Sequence, residues 1–176
     1  MKYNRILLGM IALLISALSL MAQVVETPRV VSPTSFAIVI DSKSYAHAKA
    51  AVDAYRDVVE QDDLGTYLLI HDWSSPDEIR AILQQLHQDP SSPLEGCVLI
   101  GDIPVAMIRD AHHLTSAFKM DPNRYPWERS SVPSDRFYDC FGLKFVPLPY
   151  DGAKSHLFFY SLSSEGAQRI EAEIYS

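Results

Sequence analysis

Val98–Pro104 reads VLIGDIP, a short apolar run broken by Gly101 and Asp102 and followed by an Ile-Pro pair. Such a run predicts a buried strand that stops abruptly and delivers a carboxylate to the rim of a sheet, where α/β proteins keep their chemistry. The residues upstream repeat the theme. Phe36–Ile40, FAIVI, is a continuous apolar run expected of a strand covered on both faces, and Asp41 and Ser42 punctuate it. Tyr45 to Gln61 then sets Ala51, Val52, Tyr55, Val58 and Val59 at helical spacings. A second apolar run, Thr66–Ile70, precedes Ser75, Pro76 and Glu78, which supply an N-cap, a first-turn proline and a capping-box partner. Ile79, Ile82, Leu83 and Leu86 form the stripe of the next helix, which Asp89-Pro90 ends near Gln88. Cys97–Ile100 is the third strand. Strand, helix, strand, helix, strand with short links predicts an α/β domain in which right-handed crossovers build a parallel sheet flanked by helices.

The first 22 residues place Lys2 and Arg5 ahead of an apolar run from Ile6 to about Met21, closed by the small residue Ala22. This is the pattern of a signal peptide, and the run is too short and too near the N-terminus to favour a permanent membrane span. Cleavage near Ala22 and export to the periplasm, cell surface or medium are therefore expected. Residues 23–35 hold Pro28 and Pro33 without a period and read as an extended lead-in, so the domain proper occupies 36–176. Loss of Lys2 and Arg5 with the leader shifts the formal charge from −7 to −9. Phosphate binding needs clustered Lys and Arg, so a nucleic-acid partner is not expected.

Beyond Pro104 the regularity fails. Arg109 to Asp135 carries Pro122, Pro126 and Pro133, and a loop of that length in a small domain commonly covers a site, although 113–120 has the composition for a helical turn or two. Phe137–Pro149 and Leu157–Leu162 read as a β-hairpin insertion turning near Asp151-Gly152. The last residues predict a short helix and then a buried strand at Ala172–Tyr175, with the domain expected to continue past Ser176.

Four residues are binding or site-rim candidates. Asp102 follows a strand end, near which helix N-termini favour anionic ligands; the competing reading is that Gly-Asp only turns the chain and caps backbone amides. In Ser131–Asp139, SVPSDRFYD, Asp135, Tyr138 and Asp139 follow a proline-bearing loop. Carboxylates four residues apart can hold calcium when carbonyls complete the shell, which makes calcium the one candidate cofactor, although no EF-hand pattern accompanies them. The adjacent His112 and His113 point too far apart to share a metal and read as solvated loop residues. Cys97 and Cys140 are permitted a disulfide in an exported protein, but spacing does not establish one. A catalytic pair of Cys140 with His112 or His113 lacks any device that would lower the thiol pKa.

The order of these features resembles the gingipain-like cysteine peptidases, whose fold is related to that of caspases. The resemblance rests on Phe36–Ile40, the helix from Tyr45 to Gln61, Thr66–Ile70, the helix from Pro76, VLIGDIP, and Ser134-Asp135-Arg136-Phe137-Tyr138. It implies a caspase-like three-layer α/β fold and a polypeptide substrate, with Asp102 shaping loops at the sheet edge. In that family the catalytic His stands in a Gly-His-Gly setting and the catalytic Cys follows a later strand. This chain has no Gly-His-Gly, and neither Cys97 nor Cys140 matches, so no catalytic residue is carried over. The resemblance therefore implies the amino-terminal portion of an exported cysteine peptidase, inactive by itself. The competing expectation is a non-catalytic exported module that binds a surface protein or a glycan.

Overall fold

The computed structural model describes residues 23–109, 124–149, 156–167 and 170–176. The first sheet contains β1 (Val24–Glu26), β2 (Thr34–Ile40), β3 (Leu64–Ile70) and β4 (Leu94–Ile100), in the order β1-β3-β2-β4. β2 lies parallel to both β3 and β4, with Ile38 opposite Leu68 on one side and Val98 on the other. The two crossovers are α1 (Ser42–Gln61) and α2 (Pro76–His87). They cover opposite faces. Phe36, Ile38 and Ile40 pack with Val52, Tyr45, Ala48 and Val59 of α1, whereas Ala37 and Val39 pack with Ile79 and Leu83 of α2. The period-two alternation of a strand thus feeds two separate cores.

The rest of the chain forms β5 (Val105–Arg109), α3 (Trp127–Ser130), β6 (Val132–Pro133), α4 (Arg136–Asp139), β7 (Leu143–Pro147) and β8 (Leu157–Gly166). Its strands make a second mixed sheet in the order β6-β5-β8-β7, with β5 and β8 parallel. Ala106, Ile108, Phe137 and Tyr160 of this half join the same core as Ile79 and Leu83. The chain is therefore mixed α/β with two small sheets.

Several expectations are corrected. The lead-in contains a strand: β1 runs antiparallel to β3, pairing Val24 with Ile70. Helix α1 starts at Ser42 because the Asp41 side chain caps it, accepting from the Ser44 amide at 2.8 Å. Its buried residues are Val52, Arg56 and Glu60, while Tyr55 and Val58 are exposed. Two charged residues can sit inside because the lead-in brings their partners. Arg56 donates to Glu26 at 2.7 Å and to the Thr27 carbonyl at 2.5 Å, and Glu60 accepts from the Arg29 Nε at 2.9 Å. Buried charges persist only when paired in this way. The predicted hairpin is present as β7 against β8, although Phe137 to Asp139 are helical, and its turn near Asp151-Gly152 lies outside the described residues. Ser163 to Gly166 continue β8 where a helix was expected. At Ala172–Tyr175 a single parallel bridge, Gly96 to Tyr175, replaces the expected strand, with Ile174 buried beneath it. Among the described residues no helix is long and apolar enough to cross a membrane.

Candidate functional site

Chain order reverses direction between β2 and β4, since β3 lies on one side of β2 and β4 on the other. In a parallel sheet such a reversal opens a crevice at the carboxyl ends of the two strands, the usual place for a ligand. Here those ends are Asp41 and Gly101-Asp102. The Asp41 carboxylate fills the gap: Oδ1 accepts from the Ser44 amide and Oδ2 from the Asp102 amide at 2.7 Å. Burial works against its ionisation, but hydrogen bonds from the Ser44 side chain and from the amides of Ser44, Asp102 and Lys43 outweigh it and hold its pKa below the ordinary carboxylate value. Gly101 is required there. Its φ is +84°, and a Cβ would overlap the Asp41 carboxylate and the Ser44 side chain. The Gly-Asp pair thus turns the chain and pins β4 to α1 through its backbone, leaving the Asp102 side chain exposed and 3.4 Å from His156 Nδ1.

The second motif folds onto the first. The Tyr138 hydroxyl donates to the Pro104 carbonyl, and the Ser134 amide to Ala106 O at 3.1 Å. Between them lies a cavity of about 230 Å³, walled by Leu99, Gly101, Ile103 and Pro104 on one side and by Ser134, Asp135 and Tyr138 on the other. Asp135 is exposed and its side chain makes no capping hydrogen bond to α4, which leaves one open carboxylate at the lip of a cavity of mixed polar and apolar lining.

The other candidates serve the fold. Tyr138 is 2% exposed, and burial, reinforced by the Asp135 and Asp77 carboxylates, raises its pKa, so it is a neutral wall residue. Asp139 is fully buried. Its Oδ2 meets Arg136 Nη2 at 2.7 Å and the Ser176 hydroxyl at 3.0 Å, while its backbone carbonyl accepts from the Glu173 amide. Burial raises the Asp139 pKa against the lowering effect of Ser176 and Arg136. Asp135 and Asp139 therefore differ in setting, one open and one enclosed. Among the described residues there is no group of three or more His, Cys, Asp and Glu that could hold a metal ion. Cys97 and Cys140 are both buried free thiols pushed up to about 12, chiefly by burial and then by the Asp139 carboxylate. His112 and His113 lie outside the described residues.

The motif is held from below by a residue whose helical position gives no hint of its role. Arg80 of α2 donates to the carbonyls of Phe137, Cys140, Phe141 and Leu143, and its guanidinium lies 5.3 Å from the ring centroids of Phe137 and Phe145 and 5.6 Å from that of Phe141. Burial lowers its pKa, and the surrounding carbonyl dipoles and ring faces take the place of a hydrogen-bonded carboxylate. Asp41 was visible in sequence as punctuation only; its position three residues before Ser44 is the spacing of a helix cap.

The two buried acids carry opposite pH signatures. Asp41, with a lowered folded pKa, contributes stability that is present above the ordinary carboxylate pKa and is lost as pH falls through its folded value. Asp139, with a raised folded pKa, favours the folded state at acid pH and loses that contribution as pH rises through its folded value. Asp41→Asn is expected to be less stable than wild type at neutral pH, with the gap closing on acidification. Asp139→Asn is expected to be at least as stable at neutral pH and to lose its advantage on acidification. Thermal melts of the three proteins between about pH 7 and pH 3 check both signs.

The chain matches no protein-family model, and neither a curated protein nor a solved structure shows significant similarity to it.

Proposed function

We propose that this chain is the amino-terminal α/β portion of an exported cysteine peptidase of the gingipain-like kind, directed out of the cytoplasm by its first 22 residues, and that it supplies a wall of the substrate cleft while carrying no nucleophile. The observation that supports this reading most is the meeting of its two motifs. VLIGDIP and Ser-Asp-x-x-Tyr are separated by a stretch of irregular composition, yet the Tyr138 hydroxyl is bonded to Pro104 O and both motifs line one cavity beside the switch point. The crossovers α1 and α2 on opposite faces of the first sheet are compatible with a caspase-like layering. A lining that mixes Leu99, Ile103 and Pro104 with the open Asp135 carboxylate at the lip suits an aliphatic side chain with a cationic head, so a peptide bearing Lys or Arg is the ligand proposed for the cavity.

Neither thiol is set up as a nucleophile: both are buried, and burial followed by the Asp139 carboxylate raises their pKa, which favours the protonated form. The purified chain is therefore expected to show no turnover of a fluorogenic peptide library under reducing conditions, and both thiols are expected to resist alkylation until the protein unfolds. Labelled Lys- or Arg-containing peptides are expected to bind, with affinity reduced about tenfold in Asp135→Asn, as for loss of one charge-assisted contact. Turnover abolished by Cys140→Ala, or failure of every peptide to bind, overturns the proposal. Binding of glycans in place of peptides supports the non-catalytic module instead.

A further inference from the structure

We propose that the cavity between α1 and β4 is a second binding site, one that takes a small organic cation bearing a quaternary ammonium group. It opens on the face of the first sheet that α1 covers, away from the crevice at Gly101 and Asp102, and has a volume of about 350 Å³, within the range of small-molecule sites. Val59 of α1 and Val98 of β4 line it with three aromatic residues, Phe36, Tyr55 and Tyr175, and with Asp62. The rings form walls. Tyr55 stands nearly edge-on to Phe36, with centroids 6.5 Å apart and planes at 77°, and Tyr175 lies 6.2 Å from Phe36 at a tilt of 36°. Phe36 is buried, whereas Tyr55 and Tyr175 are 42% and 54% exposed. Tyr175 is held in place by its backbone: its amide donates to the Glu95 carbonyl at 3.0 Å, its carbonyl accepts from the Cys97 amide at 2.8 Å, and its ring lies so close over Gly96 that a Cβ there would overlap it. A ring fixed in this way has little freedom to lose when a ligand arrives.

Charge selects the occupant. Asp62 caps the C-terminal end of α1, where the helix dipole is negative, and is exposed. Burial, followed by the Glu95 carboxylate and Tyr55, raises the Tyr175 pKa, so the surroundings of this ring oppose negative charge. The chain as a whole carries a formal charge of −7. An anionic ligand would meet like charge here. A cation is attracted by the ring faces through their quadrupoles and by Asp62, and a quaternary ammonium group brings no N–H that would need an acceptor in a wall made of rings and valines. Its methyl groups are of a kind to bury against Val59 and Val98.

The test titrates the purified full chain against choline and against the neutral alcohol in which a tert-butyl group replaces trimethylammonium, following the ligand methyl protons by NMR. Choline is expected to bind saturably, with its methyl signal moved upfield by the ring faces, and the neutral isostere to bind about fivefold more weakly. Tyr55 and Asp62 are exposed, so their substitution leaves the fold in place. Tyr55→Leu is expected to lower choline affinity about fivefold while Tyr55→Phe retains it, and Asp62→Asn to lower it about threefold. Asp135→Asn is expected to bind choline as wild type does. Sedimentation with phosphatidylcholine vesicles separates the two sources of the same group: a chain left in the supernatant takes the free cation, and one carried down and released by choline takes the lipid headgroup. The absence of a saturable choline shift, equal binding of the neutral isostere, or unchanged affinity in Tyr55→Leu overturns the proposal. Loss of choline binding in Asp135→Asn places the cation in the other cavity and overturns it as well.

Discussion

Arg80→Ala is expected to destabilise the domain by about 3–5 kcal/mol, since it strands several buried carbonyls at once and opens a void among three rings. The four acceptors belong to one segment from Phe137 to Leu143, so a single truncation releases the whole connection between α4 and β7. Lysine cannot repair it. An ammonium group offers three donors from one point, whereas the guanidinium spreads five over a plane that also stacks on the rings, so Arg80→Lys is expected to recover less than half of the loss. Urea denaturation of both variants measures the effect. A cost below about 1 kcal/mol for Arg80→Ala, the scale of an ordinary surface change, would refute this role. Because that segment carries Tyr138 and begins two residues after Asp135, peptide binding at the cavity is expected to disappear with the fold of the segment.

Gly101→Ala is expected to cost about 3 kcal/mol, from the left-handed backbone and from displacement of a carboxylate that accepts charge-assisted hydrogen bonds. The collision is with Asp41, whose Oδ2 accepts the Asp102 amide, so the damage should run through that bond. Asp41→Asn alone is expected to cost about 1–2 kcal/mol, because the amide keeps the shape and loses the charge. The double variant is expected to be less destabilised than the two single losses combined, since both remove one interaction. Strict additivity in a double-mutant cycle would show that the glycine acts through backbone strain alone.

The elements that sequence made legible are those fixed by local chemistry. Phe36–Ile40, Thr66–Ile70 and Val98–Ile100 lie in strands because continuous apolar runs between turn residues have few alternatives. Helix α2 begins where Ser75, Pro76 and Glu78 place it, with the Ser75 hydroxyl accepting from the Glu78 amide at 3.3 Å and the Glu78 carboxylate reaching back to the Ser74 amide at 3.0 Å. Asp102 was legible as a rim residue for the same reason: the run ends, a glycine follows, and the chain must turn.

Tertiary structure alone decided the remainder, and the physical reason is the distance along the chain between partners. β1 is too short and exposed to announce itself and exists only because β3 offers a free side. Arg56 and Glu60 interrupt the apolar stripe of α1, and their burial is intelligible only with Glu26, Thr27 and Arg29 brought from 29 residues or more away by the fold. Asp135, Tyr138 and Asp139 look equivalent in a motif of polar and aromatic residues. Packing separates them: Asp135 stays open at a cavity, Tyr138 is tied to Pro104, and Asp139 is enclosed with Arg136 and Ser176. Hydrophobic periodicity specifies which face of an element is buried, but the fate of a polar group depends on what arrives opposite it, and here that is set by how the second sheet folds against α2.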